Sequence, residues 1–168
     1  MNTGYVRAAN TLESAPGTYA LILGNARPAR LAVGRLGSIH LRSGVYVYVG
    51  SALGPGGLQA RVGRHLDHTR AAHWNIDYLK RAADIVEVWY VLDSVRREHV
   101  WAEALGGLAG ASIPMPGFGA SDCRCTAHLF YFPSAPRLTA FARALRQVDV
   151  AGGGGGQSLR RLPIVNAG

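Results

Sequence analysis

Four basic or titratable side chains recur at helical spacing near the middle of the chain, in a pattern suited to phosphate chemistry. Arg61, Arg64, His65 and His68 stand at i, i+3, i+4 and i+7, so a helix places them on one face. Guanidinium groups bind phosphate through a planar fork of donors, and an imidazole kept neutral by neighbouring positive charge can act as a general base. The pattern predicts either a general base held beside arginines or a solvated basic face.

A second group of residues has the types that ligate a soft metal ion. Cys123, Cys125 and His128 form a Cys-x-Cys-x-x-His pattern, and thiolate plus imidazole suits Zn²⁺. His73 or Asp77 completes a set of four ligands if the fold brings one of them close. The cysteines stand closer together than in most structural zinc sites, so two reduced, packed cysteines are the alternative. A zinc ion here would brace the domain rather than catalyse.

Strand signals and helix signals place these residues in an α+β domain. The strands come first, followed by helices and then by a returning strand. Apolar runs and turn residues predict strands over 18–23, 29–33, 38–41, 45–49, 85–92 and 128–132. Helical periodicity predicts helices over 58–68 and 74–83, and another after residue 94. Trp74 and the other tryptophans are assigned to the core or its edge.

The chain divides into a main domain over residues 13–133, an appended helix over 134–150 and a tail over 151–168. Apolar residues from Leu138 to Val148 recur at helical spacing, which predicts the appended helix. Five consecutive glycines, 152–156, then form a flexible tether. We expect a disordered, Gly-rich, basic tail beyond it.

Composition favours an anionic polymer as partner and excludes several classes of protein. The formal net charge is +8, and Lys80 is the single lysine among 18 basic residues. This abundance of arginine suits phosphate binding, or alternatively reflects a GC-rich genome. The sequence lacks an apolar run long enough for a membrane helix, the layout of a signal peptide, and a cysteine framework for disulfides. We therefore expect a cytoplasmic protein.

Several short runs, taken in order, resemble the GIY-YIG nuclease superfamily. The first signature resembles 17–19, Gly-Thr-Tyr, and the second resembles 48–50, Tyr-Val-Gly. The run 58–62, Leu-Gln-Ala-Arg-Val, is similar to the family helix that carries a catalytic arginine, and Glu98 matches the metal-binding glutamate. The longer runs 73–79 and 117–125 resemble a subgroup described mainly as a domain of unknown function and sometimes fused to DNA-repair enzymes.

This resemblance implies a metal-dependent endonuclease or nickase that hydrolyses DNA phosphodiester bonds, in repair or in processing branched DNA. Tyr19 would activate or orient the attacking water, and Tyr48 would support it. Arg61 would hold the scissile phosphate, with His65 close to the nucleophile. Glu98 would bind a single Mg²⁺ or Mn²⁺ ion. A DNA-repair protein is an expected partner.

The resemblance implies a small, mostly antiparallel sheet flanked by helices, and the chain departs from the family pattern at three places. Tyr19 and Tyr48 are separated by more residues than in compact relatives, which implies an extra hairpin between them. Ser51 stands where some relatives carry lysine, and we assign it to nucleic-acid contact together with Arg64 and His68. Asn75 stands where histidine is expected. The alternatives to a nuclease are a non-cleaving nucleic-acid-binding module of the same fold and a zinc-braced structural protein.

Overall fold

The structure is a computed structural model that describes residues 3–149 and 158–165, and it has the α+β architecture expected from the sequence. The strands are β1 (Gly17–Asn25), β2 (Ala29–Val33), β3 (Gly37–Leu41), β4 (Gly44–Ala52), β5 (Asp84–Leu92), β6 (Leu129–Phe132) and β7 (Arg160–Pro163). The helices are α1 (Thr3–Asn10), α2 (Gly57–Leu66), α3 (Asn75–Leu79), α4 (Glu98–Gly106) and α5 (Leu138–Asp149). A 3-10 turn, Gly34–Leu36, joins β2 to β3.

Five strands form one antiparallel sheet in the order β6-β4-β1-β5-β7, and β2 pairs with β3 in a separate hairpin. The central strand, β1, is buried along almost its whole length. Packed elements cover both faces of the sheet at β1, and this explains why its sequence is mainly apolar rather than alternating. The predicted antiparallel sheet and extra hairpin are confirmed.

The sheet separates two apolar layers, and helices from both layers place side chains near the same end of the sheet. Alternation of tyrosine and valine in β4 turns Tyr46 and Tyr48 toward one layer and Val47 and Val49 toward the other. The tyrosine layer contains α2, α3 and the hairpin, whereas the valine layer contains α4 and α5. Side chains from α2 and from the start of α4 therefore approach the end of the sheet from opposite sides.

Several helices differ from the sequence-based expectations, and α3 ends at Leu79 rather than at residue 83. The appended helix is α5, which begins at Leu138 rather than at 134 and packs Phe141 against Trp89 and Trp101, with ring centroids 5.3 and 5.0 Å away. Helix α1 precedes the expected start of the main domain and packs against α2, where a Cβ on Gly63 would lie 3.5 Å from Ala9 Cβ. In the described parts of the chain, every helix is too short or too polar to cross a membrane.

The prediction of a disordered tail is wrong for the segment 158–165, whereas the glycine tether lies outside the described residues. β7 pairs with β5 in this segment, and the Ile164 N–H donates to the Val86 carbonyl at 2.9 Å. Arg160 pairs with Glu13 and Arg161 with Glu87. A terminal segment that supplies backbone donors to an open sheet edge can be ordered even when it follows a long linker, because the entropy cost of closing a loop grows only slowly with loop length.

The burial of Ile164 tests whether this terminal strand stabilises the fold. Ile164 is 7% exposed and its neighbour Val165 is 73% exposed. We expect Ile164→Ala to lower the free energy of unfolding by about 2 kcal/mol, because apolar burial is lost at a packed site. Val165→Ala is the matched control and should change it by less than about 0.5 kcal/mol. Urea unfolding measures both, and equal effects of the two variants would contradict the docked strand.

Candidate active site

A cleft of about 440 Å³ opens at the end of the sheet where β1 begins and β4 ends. It collects most of the residues that the sequence singled out, from four different elements and one loop. These lining residues are Tyr19, Tyr48, Ser51, Arg61, His65, Glu98, Cys123 and His128. Arg64 and His68, which we also expected to contact nucleic acid, do not line this cleft in the described structure. Arg64 packs on Trp74, and His68 is exposed just beyond the end of α2.

Tyr19 and His65 form a buried hydrogen bond at the base of the cleft, with 2.8 Å between Tyr19 Oη and His65 Nε2. Burial lowers the pKa of His65 to about 3, and the positive charge of Lys80 adds to this shift. Burial, together with the nearby phenol of Tyr48, raises the pKa of Tyr19 well above its ordinary value. Both groups are therefore uncharged at neutral pH. If the phenol donates to Nε2, the ring proton stays on Nδ1, which is buried without a partner in the described structure.

The register of β1 against β4 explains why glycine stands opposite Tyr19. Gly50 is the direct partner of Tyr19 in the antiparallel ladder, and directly opposed residues share one face of a sheet. A Cβ on Gly50 would lie 2.4 Å from Tyr19 Oη. Glycine thus allows the phenol ring to lie across β4 and reach His65.

Tyr48 projects from the same face of the sheet and is enclosed by the loop that precedes β6. Its ring centroid lies 6.1 Å from that of His65 and 6.1 Å from that of Phe118. Gly119 passes directly over the ring, since a Cβ there would lie 2.8 Å from Tyr48 Cε2, and its φ of +71° favours glycine. Burial raises the pKa of Tyr48 to about 12. The two tyrosines of the cleft are therefore neutral phenols.

Trp74 organises the basic face of α2 and was missed as a site residue. The Cζ atoms of Arg61 and Arg64 lie 4.8 and 4.3 Å from its ring centroid, and the His65 ring lies 5.5 Å away. Stacking on an indole restricts the orientation of a guanidinium group. Nothing in the sequence around Trp74 distinguishes this role from ordinary core packing, because the contact depends on where α3 docks.

One acidic residue and the single lysine of the chain attach α3 to α2. Asp77 Oδ2 accepts hydrogen bonds from the backbone N–H groups of His73 and Trp74 at 2.9 and 3.0 Å. Lys80 Nζ lies 3.3 Å from Asp77 Oδ1 and donates to the His65 carbonyl oxygen at 2.7 Å. These contacts hold Trp74 beside the basic face of α2.

Glu98 reaches the cleft from the other layer of the molecule, as the first residue of α4. Its side chain is 12% exposed, and its Oε1 lies 3.1 Å from Nη1 of the solvent-exposed Arg96. The preceding residue, Arg97, pairs with Asp93 and also with Asp149 of α5, with 3.1 Å between Arg97 Nη1 and Asp149 Oδ1. These ion pairs anchor the start of α4, and a carboxylate is favoured there by the helix dipole.

Ser51 supplies a free hydroxyl group to the cleft. It lies near the end of β4, and its Oγ is buried without a hydrogen-bond partner in the described structure. Buried hydroxyl groups are normally hydrogen-bonded. An unpartnered one that lines a cleft is therefore available to a ligand or to water.

Two cysteines and two histidines form a cluster beside the cleft, and two of them, Cys123 and His128, line it. The ligand atoms of His99, Cys123, Cys125 and His128 all lie within 4.8 Å of one another. Cys125 Sγ is 3.2 Å from His99 Nδ1, and Cys123 Sγ is 3.3 Å from His128 Nε2. Burial lowers the pKa of His128, which favours the neutral imidazole that ligates metals. This set can hold a metal ion.

The fourth member of this cluster is not one of the two residues expected from the sequence. Asp77 instead accepts a hydrogen bond from the Trp74 backbone N–H at the start of α3. The His73 ring packs beside the Trp74 ring, with centroids 5.6 Å apart. His99 takes the fourth position because α4 packs against the loop that carries the cysteines. In the sequence, the only hint of this role is that His99 is next to Glu98. That hint cannot be interpreted without knowing that α4 packs against the cysteine loop.

Comparison with known proteins assigns the chain to a family. The model described as "Domain of unknown function DUF123" matches residues 18–150, which include every cleft and cluster residue named above. The chain therefore belongs to this family. Neither a curated protein nor a solved structure matches it significantly.

The neutral state of His65 predicts a specific pH dependence of stability. Because burial lowers its pKa from 6.5 to about 3, the unfolded chain binds a proton below pH 6.5 that the folded protein excludes. The contribution of this neutral imidazole to the free energy of unfolding is fully present above that pH. It is lost as the pH falls, by up to about 1.4 kcal/mol per pH unit. His65→Gln, which keeps a partner for Tyr19, removes this contribution.

We expect wild type to lose about 2 kcal/mol more than His65→Gln between about pH 7 and about pH 5, because only wild type carries the linked imidazole. Urea unfolding at the two pH values measures the difference. Exposed His40→Gln is the control and should follow wild type. Identical pH dependence of wild type and His65→Gln would contradict a buried neutral imidazole.

Proposed function

We propose that this member of the DUF123 family is a metal-dependent endonuclease or nickase of the GIY-YIG type that hydrolyses DNA phosphodiester bonds. One observation carries the proposal: Tyr19, Tyr48, Arg61, His65 and Glu98, separated in sequence, meet in a single cleft. Their types are those needed to position a water, hold a phosphate and bind a hard metal ion. The net charge of +8 suits a polyanionic substrate.

Tyr19 positions the attacking water in this proposal. As a neutral phenol, it accepts a hydrogen bond from the water, while its own proton is directed to His65 Nε2, 2.8 Å away. The guanidinium of Arg61 lowers the pKa of Tyr19 against the larger effect of burial, and additional positive charge in the cleft acts in the same direction. Tyr48 borders the same space and supports the water or a phosphate oxygen.

Arg61 holds the scissile phosphate and offsets the negative charge that develops during attack. It lines the cleft and is stacked on Trp74, so its donors are oriented before the substrate binds. A preoriented cation needs little reorganisation at the moment of reaction. Ser51, near the end of β4, donates a hydrogen bond to the phosphate.

Glu98 provides the protein ligand to Mg²⁺ or Mn²⁺. The donor set fits a hard cation that keeps most of its waters, because the carboxylate borders the cleft and the unpartnered Ser51 hydroxyl lines the same space. When bound, such an ion supplies charge neutralisation and a more acidic water. Arg96 must release Glu98 Oε1 for this role, and its exposure makes that exchange inexpensive.

The same ion pair favours the second candidate, a nucleic-acid-binding module of the same fold that does not cleave. Arg96 Nη1 lies 3.1 Å from Glu98 Oε1, so the carboxylate already has a cationic partner. In that function Arg61 and Ser51 still bind phosphate, and Glu98 orders the start of α4. The two candidates differ in what substitution of Glu98 does.

Nicking of supercoiled plasmid separates these two candidates. We expect wild type to nick the plasmid with Mg²⁺ or Mn²⁺, and Glu98→Gln to lose at least about 100-fold in rate because the carboxylate ligand is removed. Glu103→Gln, on an exposed face of the same helix, is the control and should nick at the wild-type rate. Nicking that is equal in wild type and Glu98→Gln, or absent from both, would reject the nuclease and leave the binding module.

We also propose that the cysteine–histidine cluster holds a structural Zn²⁺ ion. Two thiolates and two imidazoles make a closed tetrahedral set, which is typical of structural rather than catalytic zinc. The ion would join the loop that covers Tyr48 to α4, which begins with Glu98. It would therefore stabilise the wall of the cleft without taking part in the reaction.

Zinc content tests this assignment independently of activity. We expect about one equivalent of Zn²⁺ per chain, and a Tm lower by about 10 °C after chelation or in Cys125→Ser, because metal binding contributes folding free energy. His73→Ala should keep both the metal and the Tm. Elemental analysis with thermal unfolding measures these quantities. Wild type that takes up no zinc, or Cys125→Ser that retains it, would contradict the assignment.

A further inference from the structure

Acidic residues are absent from a long stretch of the chain that contains the hairpin. No aspartate or glutamate occurs from Ser14 to Leu66, whereas the same stretch contains Arg27, Arg30, Arg35, Arg42, Arg61 and Arg64. Two of these arginines belong to α2 and pack on Trp74. The other four lie in or beside the β2–β3 hairpin, far from α2 in sequence.

The hairpin presents a polar outer face and packs its inner face on the core. Ile39 and Leu41 are buried, while Arg30 and His40, which are direct partners in the ladder, are exposed. The exposed positions between them and the tip carry small side chains, at 32 and 38. Small residues on this face allow close approach of another chain's backbone.

In the part of the chain that the structure describes, the hairpin arginines form no ion pair with an acidic residue. Within 3–149 and 158–165, the ion pairs involve acidic residues outside the hairpin together with Lys80 and arginines of other segments. Arg42 is used internally, because its Cζ lies 4.0 Å from the Tyr131 ring centroid. Arg27, Arg30 and Arg35 are exposed. Together with His40, we name these residues the hairpin surface.

The tip of the hairpin contacts two segments that also contain cleft-lining residues. Leu36 Cδ2 lies 3.5 Å from the position of a Cβ on Gly117, in the loop whose next residues line the cleft. For the second segment, a Cβ on Gly34 would lie 3.7 Å from the Tyr78 ring, in the helix that follows Trp74. Arg35 stands between these two contacts.

We propose that the hairpin surface binds the phosphate backbone of the duplex DNA whose scissile phosphate enters the cleft. This inference rests on the proposed function for its substrate class, but it assigns a separate site. The five residues of β2 span about 17 Å, enough to run beside a short stretch of one strand of a duplex. The row from Arg27 through Arg30 to Arg35 then leads the backbone toward Arg61.

Duplex binding at several salt concentrations tests the hairpin surface. We compare wild type, Arg30→Ala/Arg35→Ala and Arg143→Ala/Arg146→Ala on a fluorescent 30-base-pair duplex, without added divalent metal so that the DNA stays intact. The last variant makes the same charge change on α5, in the opposite layer, at exposed positions. Fluorescence anisotropy gives Kd and its dependence on salt, and a parallel plasmid-nicking assay reports activity.

We expect the hairpin variant to bind about 10-fold or more weakly, with a slope of log Kd against log salt smaller by about 1.8, because two phosphate contacts are lost. The α5 variant should bind within about twofold of wild type. Arg30→Glu/Arg35→Glu should enlarge the defect at unchanged Tm, which separates charge from folding.

These results support DNA binding by the hairpin surface whether or not wild type nicks plasmid. The nicking assay tests the proposed nuclease activity separately. A hairpin variant that binds like wild type overturns the hairpin surface, and nicking by wild type in the parallel assay would then leave the nuclease standing. Wild type that binds no duplex at low salt also overturns it. In that case the nicking assay decides independently whether the proposed function fails too.

Discussion

The hydrogen bond between Tyr19 and His65 joins the central strand of the sheet to α2, and the cleft is built around it. It forms only because Gly50 leaves room for the phenol, and it is buried, so both partners stay uncharged. An uncharged pair costs less to bury than an ionised one. The charged groups of the site, including Arg61 and Glu98, are arranged around this neutral centre and closer to solvent.

The cleft depends on two long-range attachments in addition to this bond. Lys80 joins α3 to the His65 carbonyl, which places Trp74 beside the arginines of α2. On the other side, the cysteine–histidine cluster brings the loop over Tyr48 next to α4. Since Glu98 and His99 are adjacent, the position of the carboxylate and that of the cluster are set by the same helix. A change in either attachment is therefore expected to alter the geometry of the cleft.

At the level of the fold, local patterns predicted most strands and the basic helix, because alternation and helical spacing are properties of short segments. The hairpin between β1 and β4 was also predictable, since turn residues flank its two apolar runs and Tyr19 and Tyr48 are separated by more residues than in compact relatives. The terminal strand β7 was not, because a short basic segment after five glycines has the composition of a disordered tail. Its order comes from the free edge of β5 and from the burial of Ile164, which are features of the assembled sheet.

The sequence by itself determined which chemistry the chain can offer: tyrosines at two strand positions, a helix with Arg61 and His65 on one face, and a pair of cysteines close to a histidine. Only the tertiary structure decided which of these groups act together. In the folded protein Trp74 packs on the basic face of α2, and His99 rather than His73 or Asp77 is the fourth member of the cysteine–histidine cluster. Arg64 does not line the cleft. Spacing along one element is set by local backbone geometry, whereas proximity between distant segments depends on how the two layers pack on the sheet.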